Sequence, residues 1–209
     1  MALLDKLKWR YATKKFDTAK NIPADTLQTL LDAIQLAPSS YGLQHYRVLV
    51  IKDAETREKL KAAGYGQPQI TDASQLIVFA AETNIDADFV KHYIDNVAQT
   101  RNVPRETLTG FENMLVGAVS SRTPEQALIW AQKQAYIGLG FLLAAAAEHG
   151  VDACPMEGFD AAGFNEILGL KEKGLTATVI ATVGYRAQDD DLSHAAKVRR
   201  PAGEFFIHI

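Results

Sequence analysis

The 209-residue sequence predicts one α+β domain that spans residues 1–209. Segments with helical periodicity alternate with short apolar runs that suit buried strands. Apolar residues make up 47% and charged residues 22% of the chain, which are values typical of a globular protein with a sizeable core. The sequence contains no internal repeat, no low-complexity run and no linker long enough to mark a domain boundary. These three observations together favour a single domain over two small ones.

A long apolar helix followed by a short strand is the strongest of these segments. Pro124 and Glu125 are suited to the start of the helix, and residues 148–150 to its end. Its roughly 25 residues would span about 37 Å. Residues 137–147 are apolar apart from two glycines, which predicts a helix buried on all sides. The run is too short and too rich in alanine to cross a bilayer, and it leads directly into residues 151–158.

Periodicity and turn residues predict the remaining elements in chain order. A short helix at 2–9 precedes a turn at 10–16. The next helix opens at Pro23, because Leu27, Leu30, Leu31 and Ile34 repeat with the spacing of one buried face. Then follow a loop at 39–42, a strand at 47–51, a helix at 54–63 that ends at Gly64, a loop at 64–69, a buried strand at 76–81, helices at 86–100 and 104–119, the long helix, a short helix at 160–168 and a strand at 176–185.

The C-terminal residues 204–209 are apolar and prone to form a strand. A chain rarely ends on such residues unless they pack on something. They could add a strand to the sheet of a partner, or they could form an edge strand in the sheet of their own chain.

Charge and cysteine content limit the class of protein. The net charge of −3 argues against nucleic acid as the main partner. Cations nevertheless concentrate at both ends of the chain, in residues 1–20 and at Lys197, Arg199 and Arg200. The single cysteine, Cys154, excludes an internal disulfide and suits a reducing compartment. The N-terminus carries charges where a signal peptide needs an apolar run, so we expect a cytoplasmic protein without a membrane partner.

Several common catalytic patterns are absent from the sequence. The five histidines do not have the spacing of a metal site, so we expect no metal. No phosphate-binding Walker loop and no Gly-x-Ser-x-Gly sequence occur. The pair Gly138 and Gly140 lies inside the apolar helix, which favours close helix packing over dinucleotide binding. Cys154 lies in an apolar strand without a neighbouring histidine, which favours a buried, inert thiol over a nucleophile.

Three polar features remain. Arg10 and Lys14 flank a turn after the first helix, Ser39 and Ser40 follow Pro38 in a loop, and Lys197 and Arg199 are two residues apart in the tail. Each is ordinary surface composition when taken alone. Together they suit a phosphate, because arginine offers a forked contact and lysine a point charge. The residues therefore predict a phosphorylated ligand bound among several loops.

The order of these motifs resembles one known family. Along the chain come Arg10-x-x-x-Lys14, Pro38-Ser39-Ser40 with Gln44, Asp72-Ala73-Ser74 before an apolar strand, Pro155-Met156-Glu157-Gly158-Phe159-Asp160, the run Gly-Leu-Lys-Glu-Lys-Gly at 169–174, and Lys197-x-Arg199. This set is similar to the FMN-dependent nitroreductases, in particular the oxygen-insensitive NAD(P)H nitroreductase and flavin-reductase branch. The resemblance implies a nitroreductase-like fold in which helices flank a central mixed, mostly antiparallel sheet. It also implies an intertwined homodimer that exchanges a C-terminal strand.

The same resemblance implies a set of cofactor-binding residues. Its members are Arg10, Tyr11, Ala12, Lys14, Pro38, Ser39, Ser40, Gln67, Gln69, Pro155, Met156, Glu157, Gly158, Lys197 and Arg199. Arg10, Lys197 and Arg199 match residues that hold the FMN phosphate. Lys14 matches a cation near flavin N1 and O2, where negative charge develops on reduction. The Pro38–Ser40 loop would come from the other subunit, and the N–H of Glu157 would point at flavin N5.

The chain departs from the family pattern at three places, one of which is the stretch 42–46, where relatives often carry Asn and then Gln-Pro-Trp. Ala12 stands where relatives often carry serine, which removes one hydrogen bond to the cofactor. Gln67 and Gln69 occupy the stretch in which relatives place asparagine and lysine on the flavin edge. These glutamines can hydrogen-bond the pyrimidine ring but add no charge.

The implied activity is the reduction of bound FMN by NAD(P)H, followed by a two-electron transfer to a small-molecule acceptor in a ping-pong cycle. Nitroaromatics, quinones and free flavins are the candidate acceptors, and the resemblance points to Tyr41, Tyr65 and Phe111 for the substrate pocket. No side chain need act as acid or base, because the cofactor carries the chemistry. Two alternatives stay open: an FMN enzyme of the same fold with another reaction, such as enal reduction, dehalogenation or flavin breakdown, and a non-catalytic flavin-binding protein.

Overall fold

The computed structural model describes residues 3–209 as an antiparallel sheet surrounded by helices. The strands are β1 (Tyr46–Ile51), β2 (Gln75–Glu82), β3 (Asp152–Met156) and β4 (Leu175–Gly184). The helices are α1 (Leu3–Trp9), α2 (Ala24–Gln35), α3 (Ala54–Ala63), α4 (Gln69–Asp72), α5 (Ala87–Arg101), α6 (Thr109–Ser120), α7 (Pro124–Glu148), α8 (Ala161–Leu168) and α9 (Ala202–Phe205). The predicted α+β class is therefore confirmed.

The four strands lie in the order β1-β2-β4-β3, and every neighbouring pair is antiparallel. A parallel contact is added outside the strands by an isolated bridge between Ala12 and Ala153. Because β2 and β4 are central, their side chains are almost all buried. β1 and β3 form the two edges, and β3 is the edge against which the N-terminal segment lies.

Alternating side chains of β2 divide the core between the two faces of the sheet. Ile77 and Phe79 pack against α2 and α7 on one face. Leu76 and Val78 pack against α3 and α8 on the other face. A third cluster joins α5 and α6 to the first half of α7. The long helix therefore contributes to two of the three clusters, as its apolar sequence predicts.

The limits of α7 follow from its terminal residues. Thr123 accepts a hydrogen bond from the N–H of Gln126 and the side chain of Gln126 accepts one from the N–H of Thr123, which is a capping box. A Cβ atom on Gly138 would lie 2.6 Å from the Tyr46 hydroxyl oxygen, so this glycine permits close packing, as predicted. The space at Gly140 is open.

The prediction that α7 is buried on all sides is wrong for the single chain. Ile129, Tyr136, Ile137 and Phe141 are between 38% and 45% exposed. Their spacing places them along one side of the helix, which we call the α7 stripe. Apolar composition alone does not distinguish a helix that is surrounded by its own chain from a helix with one exposed apolar face.

The C-terminal segment differs from one of the two arrangements predicted for it. Residues 206–209 follow the short helix α9 and pair with no strand of residues 3–209. Phe205, Phe206, Ile207 and Ile209 are all exposed. The tail therefore does not form an edge strand in its own sheet. Among the described residues, no helix combines the length and the hydropathy that crossing a bilayer requires.

Candidate active site

The segment from Arg10 to Lys15 is held in place by the carboxylate of Asp190, which is 2% exposed. Its Oδ2 accepts hydrogen bonds from the N–H of Lys14 at 2.8 Å, the N–H of Lys15 at 3.1 Å and the hydroxyl of Tyr11 at 2.9 Å. The other oxygen accepts from the N–H of Leu192 at 3.3 Å. One side chain thus joins the N-terminal cations to the segment that leads to Lys197.

These bonds determine the protonation of both partners. Burial alone would raise the pKa of Asp190, but the hydrogen bonds from Lys14, Lys15 and Tyr11 outweigh it and lower the pKa below its usual value. Burial and the bond to Asp190 raise the pKa of Tyr11 to about 12. At neutral pH the carboxylate is therefore an anion that accepts, and the phenol a neutral group that donates.

A second buried carboxylate, Asp152 at the start of β3, anchors the same region. Arg186 donates to Asp152 Oδ1 through Nε at 2.8 Å, and its backbone N–H donates to Oδ2 at 2.9 Å. The guanidinium of Arg186 also lies 4.3 Å from the ring centroid of Trp9 and 4.6 Å from that of Tyr11. These cation–π contacts connect the end of α1 with the residue that follows β4.

The two anchors frame a cavity of about 440 Å³. Five cations line it: Lys8, Arg10, Lys14, Lys197 and Arg199. The other lining residues are Trp9, Tyr11, Ala12, Pro155, Leu192, Ser193, Ala195, Ala196 and Val198, so no carboxylate lines the cavity. The structure therefore brings the two predicted groups of cations together, although they are almost 190 residues apart in sequence.

The cations of this cavity repel one another, and this repulsion is seen in the pKa values of two of them. Burial and the charge of Arg199 lower the pKa of Arg10. Burial, Arg10 and Arg199 lower the pKa of Lys197. The Nε atom of Arg10 is buried and has no hydrogen-bond partner among residues 3–209. An anion with several acceptor oxygens would relieve both the repulsion and the missing hydrogen bond.

Cys154 lies behind this cavity and is buried, as predicted. Lys14 Nζ lies 3.8 Å from its Sγ. Burial raises the pKa of the thiol more than the nearby Lys14 lowers it. The thiol is therefore protonated at neutral pH and a poor nucleophile.

The first two residues of the predicted loop 155–158 lie in β3, and one of them, Pro155, lines the cavity. Gln67 donates through Nε2 to the carbonyl of Gly158 at 2.6 Å and to that of Gly64 at 3.0 Å. Its amide nitrogen is thus engaged by the loop, whereas the sequence led us to expect Gln67 as a free hydrogen-bonding group. Gln69 is 6% exposed, and its Oε1 has no partner among residues 3–209.

The predicted Pro38–Ser40 loop does not line the cation cavity. The N–H of Ser40 donates to Gln134 Oε1 on α7 at 2.9 Å, and the N–H of Gln44 donates to Ser39 Oγ at 3.0 Å. On the same helix, Tyr136 donates to Glu157 Oε1 at 2.6 Å. Residues 134 and 136 differ by about 200° around a helix axis. The serine loop and the Glu157 loop therefore attach to opposite faces of α7.

The three residues predicted for the substrate pocket fall into two places. The hydroxyl of Tyr93 donates to the carbonyl of Tyr41 at 2.8 Å, and the ring of Tyr93 lies 6.4 Å from that of Phe111. Tyr65 instead belongs to the segment that contacts Gly158. Tyr41 and Tyr65 both have φ of +57°, a conformation that is rare for aromatic residues and is often found at functional sites.

Sequence reasoning missed the residues that hold the site together. Asp190 was not distinguished from Asp189 and Asp191, because three consecutive acidic residues in a loop normally face water. Asp152 and Arg186 lie 34 positions apart without a shared motif. The signal that could have found them is a charged residue inside an apolar segment, which needs a buried partner.

The structure thus defines this chain as an α+β protein with a cluster of cations at one edge of an antiparallel sheet. Comparison with known proteins is more specific, because the model of the nitroreductase family matches residues 7–185. The chain belongs to the nitroreductase family. It is 35% identical over 193 residues to a protein of Staphylococcus saprophyticus that bears the provisional name NAD(P)H nitroreductase, with 88% of each chain covered. A relative from Bacillus subtilis with the same provisional description is 35% identical over 204 residues, with 90% of each chain covered.

Solved structures agree on the fold. A nitroreductase-like protein from Streptococcus mutans has a TM-score of 0.84 at 22% identity, with 99% of this chain and 97% of that chain covered. A nitroreductase from Exiguobacterium sibiricum, solved in complex with FMN, has a TM-score of 0.87 at 20% identity, with 100% and 98% covered. The predicted family, fold and class of enzyme are confirmed. The chain is an oxidoreductase of a family that uses FMN and NAD(P)H.

The role of Asp190 leads to a prediction about stability. Asp190→Asn removes the charge that accepts hydrogen bonds from Lys14, Lys15 and Tyr11, and it should lower the free energy of unfolding at pH 7 by about 2 kcal/mol. The pKa of Asp190 is lower in the folded state, so its contribution is present above the usual aspartate pKa and is lost as pH falls through the folded value. The difference between variant and wild type should therefore shrink below about pH 4.

Urea titrations at pH 7 and at acidic pH measure this difference at one protein concentration. Asp189→Asn is the matched control, because Asp189 is exposed and pairs only with exposed Lys15 at 2.9 Å. It should change stability little. Equal effects of the two substitutions would show that Asp190 does not hold the segment.

Proposed function

We propose that the chain binds FMN in the cation cavity and uses NAD(P)H to reduce small-molecule acceptors by two-electron ping-pong transfer. Nitroaromatics, quinones and free flavins are the proposed acceptors. The observation that carries this proposal is the cavity itself, which five cations and no carboxylate line in a chain of the nitroreductase family. We further propose that residues 1–209 work as one domain and, in keeping with the single buried thiol, in the cytoplasm.

The residues of the site fit FMN. A phosphate dianion suits Arg10, Lys197 and Arg199, and the buried Nε of Arg10 needs an acceptor. Gln69 offers a buried amide whose Oε1 needs a donor, which the imide N–H of a flavin could provide. Bound FMN would supply the redox chemistry, because it takes a hydride from NAD(P)H and passes two electrons to an acceptor.

The protein contributes position and charge. Asp190 accepts from the backbone N–H of Lys14, not from its ammonium, so the ammonium keeps its charge for the cavity. A fixed cation stabilises negative charge that develops on a reduced flavin. Among residues 3–209, no group of three or more His, Cys, Asp or Glu side chains could hold a metal ion.

We propose that two chains complete each site as a homodimer. The serine loop and the Glu157 loop lie on opposite faces of α7, so one chain cannot place both loops on one ligand. A second copy packed on the α7 stripe would bring its own serine loop to the Glu157 loop of the first. The exposed apolar side chains of the stripe are the kind of surface that subunit interfaces bury.

The exchanged C-terminal strand is part of the same proposal. A groove of about 790 Å³ runs beside the edge strand β1 between α2 and α5, and Leu31, Val48 and Phe89 contribute to its lining. The exposed tail of the partner, with its two phenylalanines and two isoleucines, would contact the apolar part of this groove, whose lining also contains Gln28, Asp32 and Arg47. An edge strand also offers unpaired backbone groups to an added strand.

Anaerobic reduction tests the proposed activity. Protein loaded with FMN should lose its visible flavin absorbance when NADH or NADPH is added, and a nitroaromatic or a quinone should restore it. An enone in the same panel tests the alternative acceptor class. Protein that takes up no FMN would reject the cofactor assignment. Bound flavin that neither nucleotide reduces would favour the non-catalytic alternative.

Arg199→Ala should weaken FMN binding about tenfold, because one charge-assisted contact to the phosphate is lost. Retention should be lowest at high salt, which screens the remaining cations. Fluorescence titration of FMN into the cofactor-free protein measures the change. Arg200→Ala is the matched control, since Arg200 is adjacent but does not line the cavity. The same loss in both variants would point to net charge alone, and no loss in Arg199→Ala would remove the tail from the site.

Phe141→Asp should convert the dimer to monomers, because it places a charge at the C-terminal end of the α7 stripe. Sedimentation velocity at micromolar concentration measures the oligomeric state, and the monomer should also bind FMN poorly because its site lacks the partner's loop. Val103→Asp, which alters an exposed apolar residue between α5 and α6, is the control and should remain dimeric. A monomeric wild type that retains FMN would contradict the shared site.

A further inference from the structure

Tyr136 makes a contact to which the proposed function gives no role in the reaction. It lies on the α7 stripe, is 41% exposed, and donates its hydroxyl to Glu157 Oε1 at 2.6 Å. Burial and the bond to Glu157 raise the pKa of Tyr136 to about 12, so the hydroxyl keeps its proton at neutral pH. The bond therefore joins the long helix to the loop after β3 through a short, charge-assisted contact.

The loop is also held by two hydrogen bonds from other elements, and its Phe159 packs in the core cluster on the α3 and α8 face of the sheet. Gln67 donates to the carbonyl of Gly158 at 2.6 Å, and the N–H of Asp160 donates to the carbonyl of Ala63 at 2.8 Å. The first contact comes from the segment after α3 and the second from Ala63, the last residue of α3. Tyr136 supplies the contact from α7, so the loop is fixed between two separate elements of the fold.

The backbone of the loop explains why such fixing is needed. The strand β3 ends at Met156, and neither the N–H of Glu157 nor that of Gly158 donates a hydrogen bond within residues 3–209. These two donors lie next to Pro155, which lines the cation cavity. The side chain of Glu157 is tied to α7 and the carbonyl of Gly158 to Gln67. The contacts hold the loop while leaving its N–H groups free.

We propose that Tyr136 is a positioning residue: through Glu157 it fixes the free N–H groups of residues 157 and 158 at the cavity and thereby tunes the bound flavin. The part that concerns flavin rests on the proposed function. The part that concerns the loop does not depend on any ligand. Tyr136 acts through Glu157, so its effect requires an acceptor oxygen at position 157.

Hydrogen exchange in the cofactor-free protein tests the loop. Tyr136→Phe keeps the ring and removes the hydroxyl, and it should speed exchange of the Phe159 and Asp160 amides about tenfold relative to wild type. Glu157→Gln keeps an acceptor oxygen and should exchange like wild type at these amides. Glu157→Ala should match Tyr136→Phe. Unchanged exchange in Tyr136→Phe would overturn the proposal.

The midpoint potential of bound FMN tests the tuning. Tyr136→Phe should shift the potential in the wild-type background and should cause no further shift in the Glu157→Ala background. This is the result that a double-mutant cycle gives for a residue that acts only through its partner. The same shift in both backgrounds, or none in the wild-type background, would reject this role. Sedimentation of each variant checks that the oligomeric state is unchanged. Protein that takes up no FMN would reject the proposed function, while the exchange measurement would still decide whether Tyr136 fixes the loop.

Discussion

The whole site depends on how the carboxylate of Asp190 is used. A buried carboxylate next to several cations would normally pair with one of their side chains and cancel its charge. Here it accepts from the backbone N–H groups of Lys14 and Lys15 and from the hydroxyl of Tyr11. The chain is thereby held in place without pairing Asp190 with the ammonium of Lys14, a residue that lines the cavity. Asp152 also leaves the charge of the cavity unchanged, because the cation with which it pairs, Arg186, does not line the cavity.

The helix α7 connects this site to the rest of the fold. Its first half packs with α5 and α6, its second half with α2 and the sheet, and its C-terminal end leads within a few residues into β3. Gln134 and Tyr136 direct contacts to opposite faces of the helix, toward Ser40 and Glu157 respectively. A rigid helix of 25 residues thus sets the relative position of two loops that are far apart in sequence.

The sequence predicted those features that depend on local signals. The helix Ala54–Ala63 begins after the capping Asp53 and ends at Gly64, as predicted, because both limits are fixed by adjacent residues. The segment predicted as one helix at 104–119 is a short 3-10 turn at Arg105–Leu108 followed by α6. The periodicity of apolar residues does not distinguish a 3-10 turn from the first turn of an α-helix. The family resemblance placed the cations, but no local pattern indicated that Asp190 would be buried. Exposure of the α7 stripe could not be read from composition either, since an apolar segment is equally consistent with burial inside its own chain.

Repulsion between the cations of the cavity lowers the stability of the folded chain. Like charges close together destabilise a folded protein unless counter-charges lie nearby. Burial and the neighbouring cations lower the pKa of Arg10 and of Lys197. The anchors Asp190 and Asp152 fix the backbone without removing this repulsion, so the strain remains in the site. A ligand that binds only the folded state stabilises it in proportion to its affinity. An anion that neutralised the cavity would therefore gain binding free energy and stabilise the folded chain at the same time, and the effect would be largest for an anion with several charges.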